Sequence, residues 1–244
     1  MALKIVIASG KGGVGKSTVC KGLGLSFSDM GKKTLLIDCD AGLSSLDIML
    51  SVTESVNFTW EDVTLERCDI SEAILPVNEN LYLLPSPRNK VNDIDDLIIG
   101  EITKKLDEEY DIIVIDAPAG IGTGLSRAAK GASKALIVAT GDEVSVKGAA
   151  GVDSIISELG VTNSRLLINR YDLKSAKKGL LLSIDDIIDK TMVQLIGIVP
   201  EDKNIIYSTV SRKKLKTKKS DGAFSRIAAR ITGENVELTL SQLK

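Results

Sequence analysis

Leu3-Lys4-Ile5-Val6-Ile7-Ala8-Ser9-Gly10-Lys11-Gly12-Gly13-Val14-Gly15-Lys16-Ser17-Thr18 is the stretch whose reading decides the fold. An apolar, β-branched run meets a glycine-rich turn and then a helical pattern. The turn, Gly10 to Ser17, matches GxxxxGK[ST] in the strand-before, helix-after context that the motif needs. Gly10, Gly12, Gly13 and Gly15 let the backbone curl, with Lys11 and Val14 between them, so that successive N–H groups point inward. The following helix adds its positive end. That arrangement predicts an anion cradle for the phosphates of a nucleoside triphosphate. Lys16 would reach the outer phosphates and the Ser17 hydroxyl would ligate Mg²⁺, with Thr18 only supporting from behind.

Outward from this loop, short apolar runs recur. They are Thr34-Leu35-Leu36-Ile37, Leu81-Tyr82-Leu83-Leu84, Ile112-Ile113-Val114-Ile115, Ala135-Leu136-Ile137-Val138, Leu166-Leu167-Ile168 and Leu195-Ile196-Gly197-Ile198-Val199. Each reads as a strand buried on both faces. Helical patterns at residues 17–30, 93–109, 125–133 and 144–159 lie between most of them. Strand and helix alternation of this kind predicts an α/β fold with a doubly wound, mostly parallel sheet flanked by helices. The expected organisation is one domain over residues 1–233 and a tail over residues 234–244.

Composition narrows the chemistry. The chain has 244 residues, 43% of them hydrophobic, and a formal net charge of -2, so no global positive field draws it to DNA or anionic lipid. Histidine is absent from the sequence, which removes the Ser-His-Asp triad and the commonest transition-metal ligand. Cys20, Cys39 and Cys68 show no CxxC spacing, against a disulfide framework or a zinc site. No 18-residue apolar run appears, so the expected location is cytoplasmic.

Ligands of open parallel sheets bind beyond the carboxyl ends of the strands, and two acidic motifs lie there. Asp116 closes Ile112-Ile113-Val114-Ile115-Asp116, where a carboxylate can hold water on Mg²⁺; a turn aspartate fits the same place. Ala117-Pro118-Ala119-Gly120-Ile121-Gly122-Thr123-Gly124 follows, suited to a γ-phosphate-sensing switch or a surface loop. Asp38-Cys39-Asp40 puts two carboxylates two apart after the second strand. One can support the metal's hydration shell and the other orient the attacking water, or the pair can be a solvated turn.

The loop's additional lysine, in the form KGGxGK[ST], resembles the deviant Walker A ATPases of the MinD/ParA family. Lys32 to Leu43, Asp116 to Ile121, Leu167 to Tyr171 and Ile198 to Asp202 look like MinD-type segments in the MinD order. The resemblance implies ATP and Mg²⁺, an ATP-dependent homodimer, and Lys11 reaching the partner's phosphates, so that Lys11, Lys16 and Asp40 are the catalytic set. It implies that Asp40 orients the attacking water and that Ser17, Asp38 and Asp116 surround the metal. It places Asn169 and Arg170, with the turn Pro200-Glu201-Asp202, at the adenine. An unidentified activating protein and a cargo are the further partners, for cell division or flagellar positioning.

Two features depart from that pattern. Asn169-Arg170-Tyr171-Asp172 also satisfies N-[KR]-x-D, a guanine-reading pattern, which leaves GTP as a competing substrate. Phe224, Ile227, Ala228 and Ile231 share one helical face, but Glu234 to Leu240 alternates like a short strand, so the sequence lacks a clear C-terminal amphipathic anchor. The face is expected to dock on its own domain, with peripheral contact at the inner membrane face left open. The basic run Arg212 to Lys219 is the one feature suggesting a ParA-like DNA-partition role or an anionic target, through attraction that salt removes. DNA is not the expected partner. A metabolic P-loop enzyme is a third reading, for which the chain shows neither a substrate domain nor a metal-binding cysteine pair.

Overall fold

In the computed structural model, residues 1–42, 45–89, 95–205 and 218–239 are described. Leu43, the start of the helical pattern at 93–109, Leu240 and the side chains of the basic run at 212–219 lie outside these residues.

Eight strands form one sheet. In chain order they are β1 (Leu3–Ala8), β2 (Thr34–Asp38), β3 (Leu75–Pro76), β4 (Leu81–Leu84), β5 (Ile112–Asp116), β6 (Lys134–Ala139), β7 (Ser164–Tyr171) and β8 (Leu195–Pro200). Their spatial order is β3-β4-β2-β5-β1-β6-β7-β8. All neighbours run parallel except β3 and β4. From β1 the chain crosses to β2 and the β3–β4 edge, returns to β5 beside β1, and then runs from β6 to the other edge, which is the doubly wound α/β arrangement. The carboxyl end of β1 therefore sits at the point where the winding reverses, and ligands of such sheets bind there. All seven apolar runs are strands; β3, only two residues long, carries no period-2 pattern to read.

Alternation along β1 divides the core. Val6 and Ala8 face one layer, with Leu35, Ile113 and Ile137; Ile5 and Ile7 face the other, with Leu36, Val114 and Leu136. Helices α5 (Ile98–Lys105), α6 (Thr123–Lys130), α7 (Glu143–Glu158) and α9 (Ile184–Thr191) cover the first layer. Helices α1 (Lys16–Asp29), α2 (Leu46–Leu50) and α10 (Lys218–Ile231) cover the second. Shorter helices α3 (Trp60–Thr64), α4 (Ile70–Ala73) and α8 (Leu173–Lys177) complete the connections. The helix expected at 93–109 is shorter than its pattern. It ends at Lys105, and Leu106 and Tyr110 turn back into the core.

The last helix docks on the sheet. Phe224, Ile227 and Ala228 are buried, and Phe224 lies so close to α1 that a side chain on Gly22 would meet its ring at 2.4 Å. Phe224 and Ile227 each contribute about 1.5–3 kcal/mol on burial, so this apolar face is spent on the fold. The strand expected after it does not form. Residues 234–239 have no regular structure, because the Arg230 guanidinium binds the carbonyls of Val236 and Glu237 that a ladder would need.

Candidate functional site

The glycine loop bridges β1 and α1 at the winding reversal. Gly13 and Gly15 have φ of 76° and 92°, left-handed values that side chains rarely adopt. Val14, between them, is buried in the second core layer and pegs the loop down. Gly15 is the N-terminal cap of α1, whose first turn (Lys16, Ser17, Thr18) contains no acidic residue. The positive helix end is therefore left for an external anion.

Around it stand the carboxylates. Parallel pairing puts Asp38 opposite Asp116 at the carboxyl ends of β2 and β5, with Asp116 also opposite Ile7 of β1. Asp38 is buried; its two oxygens accept the N–H groups of Asp40 (2.9 Å) and Leu46 (3.2 Å). Burial still raises its pKa to about 6 against those bonds, helped by the charges of Asp40 and Asp47. Asp116 is fully buried, and neither oxygen completes a hydrogen bond among the described residues. Burial and the neighbouring Asp38 push it up to about 7, while the nearby Ser17 hydroxyl and Lys16 ammonium pull the other way. Ser17 accepts a hydrogen bond from the Ser45 hydroxyl at 3.0 Å.

Lys16 is 7% exposed. Burial lowers its pKa, and Asp116 and Asp40 partly restore it. Asp40 is half-buried and has a raised pKa, from burial against the opposing effect of Lys16. Two buried carboxylates, one with orphaned oxygens, beside a serine hydroxyl and a buried ammonium form a donor set that a hard divalent cation and phosphates satisfy together. The structure thus brings Lys16, Ser17, Asp38, Asp40 and Asp116 into one charged cluster.

Lys11 goes elsewhere. Its ammonium lies 3.0 Å from the Asp142 carboxylate, and the two side chains are 42% and 38% exposed. Asp142 is a site residue that the sequence reading missed: Thr140-Gly141-Asp142 follows a strand, but nothing local marks its tie to a lysine 131 residues away.

Beside the loop, Gly13, Gly15, Thr18, Asn169, Arg170, Glu201, Asp202 and Ile205 line a cleft of about 180 Å³. Asn169 is buried and its amide nitrogen donates to the Val14 carbonyl at 2.8 Å, so its N–H group braces the loop. Arg170, at φ 55°, pairs with Glu201 at 3.1 Å across the cleft rim. Pro200 is buried at the end of β8, opposite Tyr171, and does not line the cleft. The guanine pattern lacks its acid: the Asp172 carboxylate is the cap of α8, accepting from the Lys174 N–H and the Ser175 hydroxyl.

The loop after β5 folds back on the site. Gly120 donates to the Ser9 carbonyl at 3.0 Å and has φ 94°, while Ile121 stands 64% exposed. No helix among the described residues is long and apolar enough to cross a membrane.

Comparisons with known proteins place the fold in a family. Residues 2–169 match the family model described as "AAA domain". The septum site-determining protein MinD of Synechocystis sp. is 35% identical over 239 residues, covering 95% of this chain and 90% of that protein. Among solved structures, the MinC:MinD cell division protein complex of Aquifex aeolicus contains a chain with TM-score 0.90 and 31% identity, covering 98% of both chains. Pyrococcus horikoshii MinD complexed with Mg-ADP gives 0.83 and 28%, covering 96% of this chain and 97% of that one. The sheet order, the phosphate loop and the near full-length similarity lead to one conclusion: this chain belongs to the MinD family of P-loop ATPases, of the septum-site-determining type, and hydrolyses ATP.

Proposed function

We propose that the chain is a dimerising switch in which Mg-ATP brings two copies together, hydrolysis separates them, and the ATP state controls where a partner protein is placed. The observation that carries this reading is the divergence of the two lysines of the loop. Lys16 is buried among the carboxylates, whereas Lys11 stands at the half-exposed rim and turns away from its own cradle. A lysine at the rim is suited to another copy's phosphates, where it meets charge only after assembly.

In this reading the loop residues Gly10 to Ser17 hold the phosphates, with Thr18 behind them. Ser17, Asp38 and Asp116 hold Mg²⁺ and its water shell. Bound there, Mg²⁺ supplies positive charge to the phosphate oxygens during transfer. Lys16 orients the outer phosphates and stabilises the charge that develops on them. Asp40, less buried than Asp38 and with no bond from its carboxylate to the backbone of the described residues, is placed to orient the attacking water. Asn169 fixes the loop through Val14, and the base lies in the cleft beside Arg170, Glu201 and Asp202. Residues 1–233 act as one ATPase domain. A MinC-type protein, as in the Aquifex aeolicus complex, is the class of partner this switch fits.

A membrane role through α10 is disfavoured because its apolar face is already buried. Sedimentation of the purified chain with Mg-ATP, Mg-ADP and no nucleotide tests the switch. A doubling of mass with Mg-ATP alone is expected, and one mass in all three conditions sinks the reading.

A further inference from the structure

We propose that the cavity at the amino edge of the sheet, where β1, β6, β7 and β8 meet the end of α10, is a binding site for a small aliphatic carboxylate. It lies at the opposite end of the strands from the phosphate loop and Asp116, and it does not depend on the switch reading.

Strand register builds the cavity. Lys134 opens β6 and pairs with Ile5 of β1, while Leu136, on the same face of β6, pairs with Arg165 of β7. Helix α10 ends over this corner with Arg230 and Ile231. The space between them is about 110 Å³, room for roughly four groups at about 30 Å³ per water. Its walls are apolar, from Ile5, Leu136, Ile196 and Ile231. Its charged lining is Lys134, Arg165 and Arg230, and no acidic residue lines it among the described residues.

These cations are held in place without a counter-charge. Arg230 donates to the carbonyls of Ile196 (3.0 Å), Val236 (2.7 Å) and Glu237 (2.9 Å). Arg165 donates to the Ser164 carbonyl at 2.8 Å and to the Asn163 side-chain oxygen at 3.2 Å. All of these acceptors are neutral, and the ion pairs of the described residues include none of the three cations. Burial and the nearby Arg226 charge lower the Arg230 pKa, as for a guanidinium short of an anion. A guanidinium carries about five N–H donors, so both arginines keep N–H groups for a ligand. A carboxylate answers them with two oxygens. An alkyl chain of about four to six carbons fills the remaining volume and covers the apolar walls. Inorganic phosphate meets only the first requirement, and a neutral alcohol only the second.

Hexanoate tests the site on the full chain, with hexanol and inorganic phosphate as the two halves of its chemistry. In protein labelled at isoleucine methyls, hexanoate should shift the signals of Ile5, Ile196 and Ile231 saturably, binding about tenfold or more tightly than either control. Lys134→Gln and Arg165→Gln should each weaken hexanoate about five- to tenfold and leave hexanol unchanged. Added salt should weaken hexanoate but not hexanol. Arg230 is left intact because it also holds the tail. If a variant fails to fold, the wild-type comparison of the three ligands still decides. Absence of saturable shifts at these methyls overturns the proposal, as does equal binding of phosphate or hexanol. Hexanoate affinity that survives both substitutions overturns it too. None of these measurements needs nucleotide, so their outcome is separate from that of the sedimentation test.

Discussion

Asp38 and Asp116 occupy paired register positions on β2 and β5, two buried carboxylates side by side at the carboxyl edge of the sheet. Each holds its proton more tightly in the folded chain than an exposed aspartate does, at about 6 and about 7, and they titrate as a pair. Folding therefore takes up protons between about pH 4 and 7, and stability from this pair is lost as pH rises through that window. In metal-free buffer the melting temperature should fall between pH 5 and pH 8. Asp116→Asn should flatten the fall and raise stability at pH 8 by about 1 kcal/mol or more, about 2–4 °C for a chain of this size. A metal-free melting temperature that rises over this range rejects the assignment.

The two lysines should fail differently. Lys16→Ala removes the buried ammonium, so ATP binding or turnover should be lost. Lys11→Ala should leave nucleotide binding intact while the Mg-ATP dimer disappears and kcat falls about 10³-fold or more, as for other cations supplied in trans. Asp40→Ala should bind ATP and accumulate the dimer. Equilibrium nucleotide titration with sedimentation separates the three, and equal loss of binding in all of them contradicts the roles.

The protein's single tryptophan lies beside the paired carboxylates. Trp60 is fully buried and its indole N–H donates to the Asp38 carbonyl at 2.9 Å. Emission should therefore shift when Mg-nucleotide binds. Trp60→Phe should leave that carbonyl unpaired and destabilise the chain by about 1–3 kcal/mol; a urea melt measures it.

Phe224→Ala should cost about 3–5 kcal/mol through the cavity left between α10 and α1. Because this face is docked, the loss should appear in denaturant unfolding. A variant of wild-type stability with altered vesicle binding would mean that the face is free.

The strands were readable because both faces of a parallel sheet are buried, so each appears as an unbroken aliphatic run. The phosphate loop was readable because backbone curvature needs glycine at spaced positions, and the acids because they end apolar runs. What stayed hidden was long-range. The Arg230 clasp on residues 236–237 replaces an alternating segment's ladder, and alternation alone carries no information about a competing guanidinium. Asn169 came only from the family resemblance, and its buried bond to Val14 depends on how β7 lies beside the loop. Asp142 became significant only when the fold set it next to Lys11.

Helix α10 meets the nucleotide site at two places. Its Ser220 hydroxyl donates to Asp202, which lines the cleft beside Asn169, at 2.9 Å, and its Phe224 ring abuts Gly22 of α1. The helix thus ties the Asp202 turn to the back of α1. A deletion reaching back into it does not trim an appendage, because it unbraces both the cleft at Asp202 and the back of α1. Fusion partners are better attached beyond the Arg230 clasp than within this helix.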